Sequence, residues 1–250
     1  MIKEMLISNN LLTYFNSTSS SRYLQKLSLA NNNISELNID CFKNVFLLRV
    51  IDLSNNSLQS VPYEAFNGPN SLNILNLSQN NIANIEHILT GLHSLNVLNV
   101  SGNNISALSN DDFQNLTELH IMDLSQNNLN FIPLGALKDL SALTELNISR
   151  NKIEYLESGV FNNLINLQML DLSNNKIENL QTHMFIPLIN LQIIDIKYNN
   201  LKSLRLSDII NYCPRLVSLD IDGNPFSCKE VASIISVSIF RKLMIKKETQ

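Results

Sequence analysis

Four histidines, three cysteines and a recurring column of aspartates are the residues of this 250-residue chain with chemistry to offer. His87, His93, His120 and His183 are scattered, and none forms a recognisable nucleophile motif with a serine or cysteine. Cys41, Cys213 and Cys228 lack the paired short spacing of a zinc site. No glycine-rich phosphate loop is present. Asp52, Asp123, Asp171, Asp195 and Asp220 recur at one register and raise the question of calcium, but equivalent places also hold asparagine. The expectation is a chain that is not an enzyme and carries no metal and no cofactor. What remains is hydrogen bonding and surface. Eight Asn-x-Ser/Thr sequons, at Asn16, Asn33, Asn55, Asn76, Asn99, Asn104, Asn115 and Asn147, are acceptors for N-linked sugar.

The elements that position these residues follow from a period. Leu167 to Ile177, LQMLDLSNNKI, places apolar residues at Leu167, Leu170, Leu172 and Ile177 and an asparagine at Asn175. The unit restarts at Ile2, Leu24, Leu48, Leu72, Leu95, Leu119, Leu143, Leu167, Leu191 and Leu216, with spacings of 22 to 25 residues. Such a period marks a solenoid. Counting from each start, positions 4 and 6 are apolar around one variable residue, which is strand alternation. Positions 4 and 6 point inward, and positions 3, 5 and 7 point to an open face. One short strand per repeat, stacked at about 4.8 Å, makes a parallel sheet.

Position 9 is asparagine in all ten copies: Asn10, Asn32, Asn56, Asn80, Asn103, Asn127, Asn151, Asn175, Asn199 and Asn224. The chain turns inward there, and an amide that donates and accepts satisfies backbone groups cut off from water. This asparagine ladder is structural. Further apolar positions, among them the column Phe42, Phe66, Leu89, Phe113, Leu137, Phe161, Phe185 and Ile210, fill the convex side. The convex segments are too short for full helices, so 3₁₀ turns or irregular backbone are expected. Residues 1–226 thus form ten repeats, the first without a cap, and residues 227–250 a C-terminal cap and tail. In that cap, residues 229–245 read as a helix with Val231, Ile234, Ile235, Val237 and Leu243 against the last repeat, followed by a solvated tail from Ile245.

Net charge is −4 and the basic residues do not cluster on the repeats, which argues against a nucleic-acid partner. No apolar stretch is long enough to span a membrane. The chain opens inside a repeat with no signal peptide.

The repeat resembles the leucine-rich repeat family in its 24-residue form, over about residues 2–226. The resemblance implies an α/β repeat solenoid: a curved horseshoe with a parallel β-sheet on the concave face and short 3₁₀ or irregular convex segments. It resembles Toll-like receptor ectodomains and secreted insect leucine-rich immune proteins. That implies extracellular, non-catalytic recognition of a protein or microbial ligand, as a homodimer or heterodimer where it pairs. The alternative is an intracellular or bacterial scaffold of the same fold. Asn224, Pro225 and Phe226 followed by Cys228 resemble the start of the family's C-terminal cap, although its usual four cysteines are not present; the expectation is a disulfide between Cys213 and Cys228, the alternative two buried thiols in a reducing compartment. Asp or Asn at position 5 is the family's ordinary choice, so Asn76, Asn99 and Asn147 are sequons partly for structural reasons. The family's recognition surface implies a binding face made by Ile121, Asp123, Glu145, Arg150, Met169, Asp171, Ile193, Asp195, Lys197 and Tyr198, in repeats 6 to 9. Glu145, Arg150, Lys197 and Tyr198 are the departures from consensus that single it out.

Overall fold

The computed structural model describes residues 2–16, 21–63, 65–66, 68–69, 71–241 and 244–246. Positions 3 to 5 of each repeat form a three-residue strand, with position 4 fully covered by its neighbours from Leu27 to Leu219 and half-buried at Met5. The strands are β1 (Glu4–Leu6), β2 (Tyr14–Phe15), β3 (Lys26–Ser28), β4 (Glu36–Leu37), β5 (Val50–Asp52), β6 (Ile74–Asn76), β7 (Val97–Asn99), β8 (Ile121–Asp123), β9 (Glu145–Asn147), β10 (Met169–Asp171), β11 (Ile193–Asp195), β12 (Ser218–Asp220) and β13 (Met244–Lys246). All but β2 and β4 join one eleven-stranded parallel sheet in chain order. The register repeats without slip: Leu170 pairs with Leu146 on one side and Ile194 on the other. β2 and β4 form a separate parallel pair on the flank of the first two repeats.

The core runs the length of the coil as one apolar cluster. Leu167, Leu170, Leu172 and Ile177 of the eighth repeat are all fully buried, as are Phe42, Phe161 and Phe185 of the convex column. At the N-terminal end Phe15, Phe42 and Phe66 stack in series, with ring centroids 5.8 and 5.4 Å apart. The convex segments are mostly turns, with a 3₁₀ turn at Thr182–Phe185. The ninth repeat departs from the expected irregular backbone and forms helix α1 (Leu206–Tyr212). Its buried Leu206, Ile209 and Ile210 lie at helical spacing.

The asparagine ladder is fully formed. Asn127 Nδ2 donates to Leu124 O and Ser125 O in its own repeat, at 3.0 and 3.1 Å, and to Val100 O of the preceding repeat at 3.0 Å. Its Oδ1 accepts from Ile105 N, also of the preceding repeat, at 3.0 Å. Each asparagine from Asn32 to Asn224 repeats this bridge. Asn10 is exposed, and among the described residues its side chain bonds to Ile7 O and Ser8 O.

The C-terminal segment differs from expectation in four ways. Helix α2 (Cys228–Arg241) starts at an N-cap serine, with Ser227 Oγ accepting from Glu230 N at 3.2 Å. Glu230 Oε1 accepts from Leu204 N at 2.8 Å and ties the helix to the ninth repeat. Ile234 is buried and Val231 and Val237 half-buried, but Ile235 sits one residue round the helix and is exposed; Leu243 lies outside the described residues. Ile245 and Lys246 are not solvated tail but part of β13, an eleventh strand paired with β12. Finally, the Cys213–Cys228 bridge does not form. Cys213 ends α1 with its Sγ buried, 3.8 Å from Phe185 O, whereas Cys228 opens α2 on the exposed side.

Two outcomes follow. Asn127→Ala leaves buried backbone groups unpaired and costs about 1–3 kcal/mol in urea unfolding, while Asn10→Ala changes stability by less than about 0.5 kcal/mol. Burial pushes the Cys41 and Cys213 thiols up to about 12. The native protein therefore shows one fast-reacting thiol, Cys228, in a maleimide labelling time course, with the other two modified only on unfolding.

Candidate recognition face

Three columns of side chains build the concave face, and the turn after each strand decides what they are free to do. Position 5 is an acceptor for that turn. Asp52, Asn76, Asn99, Asp123, Asn147, Asp171 and Asp195 each use Oδ1 to accept the N–H two residues on, at 2.8 to 3.1 Å. Asp and Asn serve equally because only the oxygen is used, which explains the aspartate column without a metal. Among the described residues no cluster of acidic, histidine or cysteine side chains could hold a metal ion. The position 7 serines, expected on the open face, are buried at Ser78, Ser101, Ser125, Ser149 and Ser173. At the three strand sequons the serine hydroxyl donates to the asparagine Oδ1 at 2.7 Å. Asn76, Asn99 and Asn147 are accordingly half-buried, while Asn16, Asn33, Asn55, Asn104 and Asn115 are exposed.

Position 8 adopts the left-handed region in every one of the ten repeats, with φ between 52° and 64°. Asparagine or glycine stands there in six of them and accepts the conformation most cheaply. Arg150 and Tyr198 occupy the same position and rise from the rim of the sheet. Gly223 lies under the Tyr198 ring; a Cβ at Gly223 would sit 2.2 Å from Tyr198 Cδ1. Arg150 is exposed, with no carboxylate in ion-pair reach among the described residues.

The register aligns seven of the ten predicted face residues, and Arg150, Lys197 and Tyr198 follow in the turns after the strands. Ile121, Glu145, Met169 and Ile193 are successive partners at position 3, and Asp123, Asn147, Asp171 and Asp195 at position 5. Ile121 and Ile193 are half-buried, whereas Glu145, Met169 and Tyr198 are exposed. Lys197, however, turns inward along the sheet. Its Nζ lies 2.8 Å from Asp195 and 3.7 Å from Asp220 of the next repeat. Asp220 belongs to the same cluster although the sequence pattern left it outside the face; its place in the position 5 column was the available signal. The hydrogen bond and ion pair with Asp195 raise the Lys197 pKa, opposed by partial burial. Burial raises the Asp171 pKa, with Asp195 adding to it and Ser173 and Lys197 opposing.

A carboxyl whose pKa is raised by folding holds its proton more tightly in the folded state. Its ionisation therefore weakens the fold as pH rises through the interval between its unfolded and folded values. Asp171→Asn keeps the turn acceptor, as Asn147 does, and removes that charge. In protein from a bacterial host the melting temperature rises at pH 7, and the gain fades as pH falls to the ordinary aspartate value of about 3.9. A pH-independent effect would show that the charge is not the cause.

The leucine rich repeat family model matches residues 22–82, 86–129, 117–177 and 165–226. No curated protein matches the chain in sequence. Among solved structures, TLR13 in complex with ssRNA13 is 29% identical with a TM-score of 0.77, over 84% of this chain and 31% of that one. FLRT2 repeats from an octameric complex with Latrophilin 3 and Unc5D give 27%, a TM-score of 0.78, and 98% and 75% coverage. Toll from the Drosophila Toll–Spatzle complex gives 21% and a TM-score of 0.79 over 94% of this chain and 32% of that one, a likeness of fold alone. The chain thus spans about a third of the length of TLR13 or Toll. The repeat period, the completed asparagine ladder and the matched residues agree: the chain belongs to the leucine-rich repeat family.

Proposed function

We propose that this chain is a non-catalytic recognition module, the extracellular part of an innate-immune or cell-surface receptor-like protein. It binds a protein or microbial ligand by surface complementarity. The observation that carries this reading is the concave face itself: a slip-free sheet whose outward side chains at position 3 form one continuous surface. The eight sequons, five of them exposed, support a secretory origin. So does the likeness to TLR13 and FLRT2. The chain's contacts centre on the rim of repeats 7 to 9, where Arg150 and Tyr198 hold a backbone conformation that asparagine would adopt at less cost. Tyrosine and arginine are also the side chains that most often carry interface energy. The RNA bound by TLR13 weakens the exclusion of nucleic acid drawn from scattered basic residues. Of the two cations in this patch, though, Lys197 is already held by two carboxylates, leaving Arg150.

One observation favours the second reading, a scaffold in a reducing compartment: Cys213 and Cys228 are not bridged. Sugar on Asn115 of the native protein decides for the first reading, and its absence there with all thiols reduced decides for the second.

The face is tested by Arg150→Ala, Tyr198→Ala and Lys197→Glu against a partner isolated by pull-down with the native protein. Arg150→Ala or Tyr198→Ala weakens binding by about 1 kcal/mol or more. Normal binding by all three, with loss on the convex change Glu157→Lys, would place the functional face on the other side.

A further inference from the structure

Repeats 3 to 6 carry a feature that the rim of repeats 7 to 9 does not explain. Val50, Ile74, Val97 and Ile121 stand at position 3 of four successive strands, each the register partner of the next. All four are half-buried, open on the concave side. The stripe has sharp ends. Lys26 is the register partner of Val50 on one side, Glu145 that of Ile121 on the other, and both are exposed. Beside the stripe, position 5 holds Asp52, Asn76, Asn99 and Asp123. From Val50 to Leu137 there are seven acidic residues and neither lysine nor arginine; Arg49 and Lys138 bound this span within repeats 3 and 6, and Lys138 pairs with Asp111. The remainder of the chain, with 18 cations and 15 acids, is mildly basic by contrast.

We infer that this stripe is the seat of an amphipathic, basic α-helical segment of a protein partner, lying along the stacking axis of the solenoid. The inference rests on the reading of the concave face as a recognition surface and adds the partner's chemistry. Spacing selects the helix. Successive stripe residues are about 4.8 Å apart, and one helical turn advances about 5.4 Å. Each turn can then set one apolar anchor, at i, i+3 or i+4, and i+7, against one strand. Over the three steps from Val50 to Ile121 the mismatch grows only to about 2 Å. An extended segment places same-face side chains about 6.6 Å apart and falls out of step at once. Charge selects the basic sequence. The span from Val50 to Leu137, acidic and without lysine or arginine, attracts lysine and arginine on the helix flanks and repels acids. The ends set direction: basic residues lie over Asp123 and Glu145, and an acidic end lies over Lys26.

The experiment uses the full chain from a bacterial host and two synthetic peptides of about 14 residues. Both have leucine at helical i, i+4 and i+7 spacing, one with lysine and one with glutamate on the flanks. Fluorescence anisotropy reads binding at several salt concentrations. The lysine peptide binds at least about tenfold more tightly than the glutamate peptide, and its affinity falls as salt rises. Ile74→Gln with Val97→Gln lowers the affinity at least about tenfold. Because that pair of changes also disturbs packing, Asp52→Asn with Asp123→Asn is the companion variant. It keeps both turn acceptors, as Asn76 and Asn99 do, and lowers affinity about threefold or more with a shallower salt dependence. Equal binding of the two peptides, or unchanged binding by both double variants, overturns the inference. So does loss of peptide binding in protein from a secreting host that carries sugar on Asn76 or Asn99. The rim in repeats 7 to 9 is tested with the isolated partner and not with these peptides, so failure here is distinguishable from failure of the rim.

Discussion

Everything in this molecule depends on one buried side chain per turn that cannot be satisfied within its own repeat. Each ladder asparagine closes two carbonyls of its own turn, but its third donor contact and its acceptor contact lie in the repeat before. A repeat thus completes its neighbour's backbone as well as covering its apolar side. That makes the stack cooperative in polar terms as well as apolar ones. It also gives the coil a polarity.

The same turn dictates what the open face can be. To bring the asparagine inward, the residue before it enters the left-handed region in all ten repeats. The position 5 side chain must cap the turn, and the position 7 serine is drawn under it. Two of the three columns that alternation would place in the open are therefore bound into structure. Free variation is confined to position 3 and the rim. The face varies along its length in those two places: apolar at Val50 through Ile121, acidic at Glu145, bulky at Arg150 and Tyr198.

Period and alternation made the sheet, its register, the ladder and the phenylalanine spine legible in sequence, because each is a local rule repeated ten times. The features that were not legible are those without a repeat to average over. The Cys213–Cys228 pairing was an inference from family resemblance, and the ends of two different helices point the thiols to opposite environments. Ile235 was placed inward because an apolar residue at a helical site is ambiguous by one position, and the packing of Ile234 resolved it. The position 7 serines follow strand alternation only while the chain remains a strand, and it has already left it there. Lys197 stood out as a departure from consensus. Its physical role emerged only when the neighbouring strand placed Asp220 within 3.7 Å of its amine.

Lys197 therefore illustrates how a departure from consensus should be weighed in a repeat protein. A residue that differs from its column either serves the fold locally or serves something outside it, and its contacts distinguish the two. Lys197 replaces a buried serine where carboxylates stand on three successive strands, and it neutralises part of that charge along the sheet. Arg150 and Tyr198 differ from their column too. Arg150 has no carboxylate in ion-pair reach among the described residues, and Tyr198 rests on a glycine that leaves room for its ring. Both keep a backbone conformation that disfavours their type. The fold gains no ion pair from Arg150 among the described residues and clears space for Tyr198, so neither is accounted for from within as Lys197 is, and on that difference the proposed rim rests.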